Sequence, residues 1–120
     1  MSKKTIVLGA SPNPTRYAYK ATSRLNAEGH ETIPMGIRDG EIDGIEIVTE
    51  IGDVENVDTI TLYLNPKHQK QYYDYLIGLK PKRIIFNPGT ENPELSKLAQ
   101  ENGIETVVAC TLVMLSIGDY

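Results

Sequence analysis

Residues 5–16 carry the strongest structural signal in the chain and read Thr5-Ile-Val-Leu-Gly-Ala-Ser-Pro-Asn-Pro-Thr-Arg16. The first four form an apolar, largely β-branched run, which is typical of a strand buried on both faces of a parallel sheet. Turn-forming residues follow. From Tyr17 onward the spacing predicts a helix whose buried face is formed by Ala18, Ala21, Thr22 and Leu25. The stretch therefore predicts a strand, a tight turn and a helix in direct succession.

The same alternation continues along the chain. Apolar, β-branched runs predict five strands, at Thr5–Leu8, Glu31–Met35, Thr59–Leu64, Arg83–Phe86 and Glu105–Ala109. Helical patterns separate most of these runs. Alternation of this kind favours right-handed crossovers, which place helices on both faces of a parallel sheet. The sequence thus predicts an α/β fold, a three-layer sandwich with a mostly parallel five-stranded sheet.

The helix boundaries carry signals of their own. The first predicted helix, residues 17–28, is followed by Gly29, a residue suited to the left-handed position after a helix. The pairs Asn65-Pro66 and Asn92-Pro93 each place a capping residue before a proline at the first helical position. The helix after Asn65 is expected to bury one face, formed by Tyr72, Tyr75, Leu76 and Leu79. Between residues 36 and 57 the pattern is weaker, and a short strand is expected at Glu46–Val48.

Length and composition set the class of protein. The chain has 120 residues, which corresponds to one domain over residues 1–120. Hydrophobic residues make up 40% and charged residues 23%, so the disordered and fibrous classes are excluded. The 12 Lys and Arg against 16 Asp and Glu give a net charge of −4, which argues against a broad nucleic-acid-binding surface.

Cysteine content and hydropathy indicate which cellular compartment to expect for the protein. Cys110 has no second cysteine to pair with, and no Cys/His cluster has the spacing of a structural zinc site. The apolar run Ile6–Leu8 is too short for a signal-peptide core, and a membrane span needs ~20 apolar residues. We therefore expect a soluble, cytoplasmic protein that binds neither metal nor membrane. The sequence identifies no protein partner.

A ligand site is expected where the strands end, because open α/β sheets bind ligands beyond the carboxyl ends of their strands, near the reversal of strand order. The loop after the first strand is the best candidate. Gly9, Ala10 and Ser11 are small, so their N–H groups are reachable, and the next helix directs its positive end to the same place. Arg16 can add a bidentate contact to a phosphate group. The plain alternative is a strand-to-helix turn with a solvent-exposed arginine.

Two common nucleotide-binding motifs are absent from this loop. The dinucleotide fingerprint needs three glycines, and the places after Gly9 that would hold the other two are occupied by Ser11 and Pro14. It also needs an acidic residue at the end of the second strand, where the chain has Pro34 and Met35. No glycine–lysine–hydroxyl triplet follows a strand, so a P-loop is excluded. The loop suits a phosphate-bearing ligand that is held in some other way.

The motif Val7-Leu-Gly-Ala-Ser-Pro-Asn-Pro-x-Arg16 resembles that of the small, single-domain CoA-binding proteins. These are similar to the CoA-binding, Rossmann-like domain of the succinyl-CoA synthetase alpha subunit. Further likeness lies in residues 29–34, the turn Glu41-Ile42-x-Gly44, and residues 57–58, 89 and 103–110. The resemblance covers nearly the whole chain and implies a Rossmann-like fold that binds CoA or an acyl-CoA.

The resemblance also implies roles for individual residues. Those that would hold phosphate groups are Gly9, Ala10, Ser11 and Arg16. Those that would flank the adenosine part are Pro34 and Met35. Those that would line the path of the pantetheine arm and its thiol are Asn65, Pro66 and Gly89. The chain departs from the family at residues 64–66, where arginine or serine is common, and at residues 87–88, where glutamine is common.

The sequence contains no assembled catalytic group. His68 follows the third predicted strand and lies near the expected cleft, but no carboxylate is placed to orient it. Cys110 lies just past the fifth strand, where a buried, inert thiol is the commoner case. A non-enzymatic CoA-binding module is the leading hypothesis. The alternatives are a small nucleotide-dependent enzyme that uses Cys110 or His68, and an interaction domain without a ligand.

Overall fold

Strands and helices alternate along residues 2–50 and 52–120, the part of the chain that the computed structural model describes. The strands are β1 (Thr5–Leu8), β2 (Thr32–Met35), β3 (Glu41–Ile42), β4 (Ile45–Glu46), β5 (Thr59–Leu62), β6 (Arg83–Phe86) and β7 (Glu105–Val108). The helices are α1 (Tyr17–Ala27), α2 (Pro66–Gln69), α3 (Tyr73–Gly78), α4 (Pro93–Glu101) and α5 (Thr111–Ser116). A 3₁₀ turn at Lys70–Tyr72 joins α2 to α3.

Five of the strands form one parallel sheet in the order β2-β1-β5-β6-β7. β1 pairs with β2 on one side and with β5 on the other, so that Val7 lies beside both Pro34 and Thr61. The chain passes from β1 outward to β2 and then returns to the far side of β1. The strand order therefore reverses at β1, and the carboxyl ends of β1 and its two neighbours are where a ligand cleft is expected.

Helices cover both faces of this sheet. On one face, Ile6 of β1 belongs to the same apolar cluster as Leu95 of α4. On the other, Val7 packs with Leu25 of α1 and Leu115 of α5. Successive strand residues point to opposite faces, and Ile6 and Val7 are both fully buried, so the centre of the sheet is enclosed on both sides. The predicted α/β, Rossmann-like sandwich is confirmed.

Three elements differ from the prediction. The helix expected after Asn65 is interrupted by the 3₁₀ turn, although Leu76 is fully buried as its spacing predicted. α5 is absent from the prediction, because six residues are too few to separate a helical period from that of a strand. β7 is an edge strand with Val108 71% exposed, so it is not buried on both faces.

The predicted helix ends are confirmed. The side-chain oxygen of Asn65 accepts a hydrogen bond from the His68 N–H at 3.2 Å, and that of Asn92 accepts one from the Leu95 N–H at the same distance. Each of these caps satisfies an amide that has no acceptor within its own helix. After α1, Gly29 adopts a φ of 86°, the left-handed conformation that glycine tolerates best.

The weakly patterned segment between β2 and β5 folds as a hairpin beside the sheet. β3 and β4 pair in antiparallel fashion, and Val48 forms an isolated bridge with Met35. The Val48 N–H donates to the Pro34 carbonyl at 2.9 Å, and the Gly36 N–H donates to the Val48 carbonyl at 3.1 Å. The short strand predicted at Glu46–Val48 is thus found in part, shifted towards the hairpin turn.

Two glycines in the loops after β1 and β2, Gly9 and Gly36, have no space for extra side-chain atoms. A Cβ atom added to Gly36 would lie 2.2 Å from the carbonyl oxygen of Ala10. One added to Gly9, whose φ is 101°, would lie 2.9 Å from the carbonyl carbon of Tyr63. Between the loops, the Met35 carbonyl accepts hydrogen bonds from the N–H groups of Gly9 and Ala10, both at 2.8 Å. The two glycines are therefore required by backbone contact.

This contact makes Gly36→Ala a destabilising substitution. The added methyl group must displace the Ala10 carbonyl, and forced overpacking of this kind costs about 1–3 kcal/mol of unfolding free energy. The matched control is Gly78→Ala at the end of α3, where a Cβ would meet no atom within 4 Å. The control is expected to leave stability unchanged or to raise it by up to about 1 kcal/mol. Denaturant unfolding of both variants measures the difference, and equal stabilities would contradict the close contact.

Polar and aromatic side chains gather at the amino ends of the strands. The Lys3 N–H donates to Nδ1 of His30 at 2.9 Å, and the His30 ring lies 5.0 Å from the ring of Tyr120. The Tyr120 hydroxyl is hydrogen-bonded with Thr5, and the Arg83 guanidinium lies 4.4 Å from the centre of the Tyr120 ring. These contacts join Tyr120 to the beginnings of β1 and β6, at the opposite end of the sheet from the expected cleft.

The burial of His30 among cationic groups predicts acid sensitivity. Burial lowers the pKa of His30, Lys3 and Arg83 lower it further, and Glu28 opposes them. Because the folded-state pKa lies below the unfolded value of about 6.5, the folded protein binds fewer protons than the unfolded chain. The stabilisation is complete above about pH 6.5 and declines as the pH falls towards the lowered pKa.

Equilibrium unfolding of the wild type and of His30→Gln between about pH 5 and pH 7 measures this effect. The wild type is expected to lose more stability on acidification than the variant, because the variant has no imidazole to protonate. Parallel pH profiles for the two proteins would contradict the assignment.

Candidate functional site

A cleft of about 670 Å³ opens at the carboxyl edge of the sheet, where the strand order reverses. It is lined by residues 8–11, 13, 16–18, 35–38, 63–65, 68, 71–72 and 88–90. These residues come from the ends of β1 and β2, from the loops after β1, β2, β5 and β6, from the first turn of α1, and from α2 and the 3₁₀ turn that follows it. The position is the one expected for a ligand site in an open parallel sheet, and the volume lies within the range of about 300–1,000 Å³ that is usual for such sites.

The cleft brings together most of the residues that the sequence assigned to a site. Those that line it are Gly9, Ala10, Ser11, Arg16, Met35, Asn65 and Gly89. Pro34 and Pro66 are not among its lining residues. Pro34 lies within β2, paired with Val7, and Pro66 is the first residue of α2. These two prolines shape the elements that border the cleft without contributing to its surface.

The expected backbone donors of the first loop are partly engaged inside the protein. The N–H groups of Gly9 and Ala10 both donate to the Met35 carbonyl, so neither is free to bind a phosphate oxygen. The prediction that their amides are available is wrong, and the physical reason is the close contact between the first two loops. In the described part of the chain, the Ser11 amide has no acceptor.

The first turn of α1 offers the donors that the loop lacks. Arg16 occupies the N-cap position with extended backbone angles, and its side chain makes no capping bond. In the described residues no acceptor is present for the N–H groups of Tyr17, Ala18 and Tyr19. Arg16, Tyr17 and Ala18 line the cleft, so the positive end of an 11-residue helix faces it.

Side chains of the first loop hold the loop in shape. The Ser11 hydroxyl accepts a hydrogen bond from the Asn13 N–H at 3.1 Å. The side-chain oxygen of Asn13 accepts two more, from the Thr15 N–H at 3.0 Å and from the Thr15 hydroxyl at 2.8 Å. The Arg16 N–H donates to the Asn13 carbonyl at 3.0 Å. These local bonds orient the chain as it enters α1, and they leave the Ser11 hydroxyl proton available.

Buried amides join the loops on the other side of the cleft. Gln69 is fully buried, and its Nε2 donates to the carbonyls of Leu64 and Thr90, both at 2.8 Å. Its Oε1 accepts from Nδ2 of Asn92 at 2.9 Å. The loop after β5 is therefore tied to the loop after β6. A single glutamine carries no pattern in the sequence, so this residue was missed.

Asn87 makes the corresponding connection towards α5. Its Nδ2 donates to the Thr61 hydroxyl at 2.7 Å and to the Leu62 carbonyl at 2.8 Å, and its Oδ1 accepts from the Thr111 N–H at 2.9 Å. The Gly89 N–H donates to Oε1 of Glu91 at 2.8 Å. The Gly89 amide is thus engaged within its own loop, although the residue lines the cleft.

Arg38, Tyr17, Ile37 and Tyr63 also line the cleft and were not assigned to it by the sequence. Arg38 lies in the loop after β2, and a basic residue just beyond a strand end is the signal that could have found it.

Tyr63 has a buried phenol oxygen beside the cleft. Burial strongly raises the pKa of this phenol, and the nearby hydroxyls of Thr111 and Thr61 lower the pKa by a smaller amount. Those two hydroxyls are hydrogen-bonded to each other at 2.8 Å, and none of the described residues is in hydrogen-bonding geometry with the phenol.

The charges around the cleft are of one sign. Arg16 and Arg38 line it, whereas no Asp or Glu of the described residues does so. This contrasts with a chain that carries 16 acidic residues against 12 basic ones. A cleft without carboxylates, facing the positive end of a helix, is suited to an anionic ligand.

The candidate catalytic residues are not assembled into a reactive group. His68 is exposed in α2, and none of the ion pairs among the described residues includes it. Cys110 is half-buried and does not line the cleft. The described residues contain no cluster of three or more His, Cys, Asp or Glu that could hold a metal ion. Within the same residues, no helix combines the length and the hydropathy needed to cross a membrane.

Solved structures share this architecture. A crystallised protein described as uncharacterized is 55% identical, with a TM-score of 0.98 over 100% of this chain and 99% of the other. A hypothetical protein from Pyrococcus horikoshii OT3 is 28% identical, with a TM-score of 0.86 over 97% of this chain and 83% of the other. No curated protein sequence matches the chain.

A larger enzyme contains the same fold. The dinucleotide forming acetyl-coenzyme A synthetase 1 of Ca. Korarchaeum cryptofilum, solved with phosphate and ADP, has a TM-score of 0.70 at 18% identity. The match covers 90% of this chain and 26% of that one, so it shows a shared fold and nothing about activity. Residues 3–116 match the family described as a CoA binding domain. The resemblance noted in the sequence is confirmed, and the chain belongs to the CoA binding domain family.

Proposed function

We propose that this protein binds CoA or an acyl-CoA in the cleft and does so without catalysing a reaction. The observation that carries the proposal is the meeting of Arg16, Arg38 and the amino end of α1 in one cleft that no described carboxylate lines. Family membership supports CoA as the ligand in general terms. The cleft chemistry supports a phosphate-bearing ligand independently of that membership.

The diphosphate of the ligand is assigned to the first turn of α1. Arg16 has no intramolecular capping role, so its guanidinium is free to form a charge-assisted bidentate contact. The amides of Ser11 and Ala18 and the helix dipole add to that contact. Arg38 supplies a second cation from the neighbouring loop. The engaged amides of Gly9 and Ala10 have no part in phosphate binding in this proposal.

The pantetheine arm is assigned to the other end of the cleft. Leu64, Asn65 and Tyr72 line it on the side of α2, and Gly89 lines it from the loop after β6. The arm is largely uncharged and flexible, and these residues offer a mixture of apolar and amide surface. The bonds of Gln69 hold the two loops at a fixed separation. Such preorganisation lowers the entropy lost when a flexible ligand binds.

Binding without catalysis is favoured by what the cleft lacks in the described residues. A general base needs a group that orients it, and His68 makes no ion pair. Cys110 does not line the cleft, so a role as nucleophile towards a ligand bound there is not supported. We further propose that residues 1–120 act as one domain in the cytoplasm, with neither nucleic acid nor membrane as partner.

The phosphate assignment predicts a specific loss of binding. CoA at 100 times its dissociation constant should raise the unfolding free energy of the wild type by about 2.7 kcal/mol. Arg16→Ala should weaken CoA binding roughly ten- to hundred-fold, because a hydrogen bond to a charged group is worth about 1.5–3 kcal/mol. Isothermal titration calorimetry measures the affinity, and thermal unfolding with and without CoA measures the stabilisation.

The matched control is Arg24→Ala, which removes an arginine from the last turn of the same helix. Arg24 forms a surface ion pair with Glu28 and does not line the cleft. CoA affinity in this variant should equal that of the wild type. If the wild type shows no stabilisation by millimolar CoA or acetyl-CoA, the proposed function is wrong. If both arginine variants bind CoA as the wild type does, the phosphate position is wrong.

A further inference from the structure

Two large apolar side chains that line the cleft are left exposed. Tyr17 is 69% exposed and Ile37 is 86% exposed, and each belongs to a different element of the cleft wall. Single exposed apolar residues are common on protein surfaces, but their concentration at a cleft marks a binding surface. In the unliganded protein this apolar area is in contact with water, so a ligand that covers it gains binding free energy.

Each of these residues is next to a cleft arginine in the chain. Tyr17 follows Arg16 at the start of α1, and Ile37 precedes Arg38 in the loop after β2. Apolar surface and positive charge are thus placed side by side on both elements. A nucleotide has the matching arrangement, because its planar base is separated from its phosphate groups only by a ribose.

We propose that Tyr17 is the stacking residue for the adenine base of the bound CoA, and that Ile37 packs against the same base. This inference rests on the proposed function and adds the base-recognition residues to it. The Lys20 ammonium lies 5.5 Å from the centre of the Tyr17 ring, a cation–π contact that restrains the ring while leaving most of the side chain exposed. A restrained aromatic ring loses little entropy when a base stacks on it.

The residues that the resemblance assigned to adenosine are less suited to this role. Met35 is only 4% exposed, and Pro34 does not line the cleft. Neither presents enough surface for contact with a planar ring. The residues just beyond β2, together with Tyr17, offer that surface next to the arginines that would hold the phosphate groups.

The test compares Tyr17→Ala with Tyr17→Phe by calorimetric titration with CoA and with 4′-phosphopantetheine, which has no base. Stacking of a base on an aromatic side chain is worth about 1–3 kcal/mol, so Tyr17→Ala should weaken CoA binding about five-fold or more. Tyr17→Phe keeps the ring and should bind CoA within about two-fold of the wild type. The affinity for 4′-phosphopantetheine should be the same in all three proteins.

The possible results separate this inference from the proposed function. Unchanged CoA affinity in Tyr17→Ala would overturn the stacking role while leaving CoA binding intact. An equal loss of affinity for CoA and for 4′-phosphopantetheine would also overturn it, because the defect would then not concern the base. A change of oligomeric state in Tyr17→Ala with unchanged CoA affinity would assign Tyr17 to a contact between copies of the chain. Absence of CoA binding in the wild type would reject the proposed function itself.

Discussion

The Met35 carbonyl oxygen is the atom on which the geometry of the cleft depends. It accepts hydrogen bonds from two successive amides, those of Gly9 and Ala10, and so holds the ends of β1 and β2 together. The contact is close enough that Gly36 has no space for a side chain beside the Ala10 carbonyl. The loop after β1 is held in this way at its start, and α1 begins at Tyr17, with Arg16 in the N-cap position. Among the described residues of this loop and helix, the free donors at the cleft are then those of the amino end of α1 and of Ser11, instead of the amides of Gly9 and Ala10.

This arrangement assigns different tasks to neighbouring segments. The loop backbone next to β1 is used for internal hydrogen bonds and makes the base of the cleft rigid. The charged and exposed groups, Arg16 and Arg38, come from the helix start and from the loop after β2. On the opposite side, buried Gln69 and Asn87 connect loops through side-chain amides that are themselves fully bonded. Satisfied buried networks of this kind fix one geometry, since breaking any bond leaves a polar group unpaired in the interior.

The sequence predicted those features that depend on local physics. Burial of the central strands β1, β5 and β6, the asparagine caps at Asn65 and Asn92 and the position of Gly29 all follow from residue type and spacing, and each is confirmed. The prediction that the Gly9 and Ala10 amides are available to a ligand was wrong. Both amides donate to the carbonyl oxygen of Met35, a residue distant in the chain. The same limitation explains why Gln69 was missed, since its partners Leu64, Thr90 and Asn92 come from other segments of the chain. Its importance arises only when these segments meet at one edge of the sheet, and no short pattern records that meeting.

The division between a rigid base and exposed cationic side chains has consequences for binding. Backbone hydrogen bonds order the base of the cleft before any ligand binds. This part of the protein therefore loses little conformational entropy on binding. Arg16, Tyr17 and Ile37 are exposed, and ordering them on a ligand offsets part of the contact energy. Contacts made by exposed guanidinium groups are also weakened by salt, because mobile ions screen exposed charges more strongly than buried ones. The phosphate contacts should therefore weaken with salt, whereas the apolar contacts of the base and the arm should persist. If CoA binds as proposed, its phosphate groups, base and pantetheine arm make contacts that respond differently to salt, so no single change of ionic conditions removes all of them.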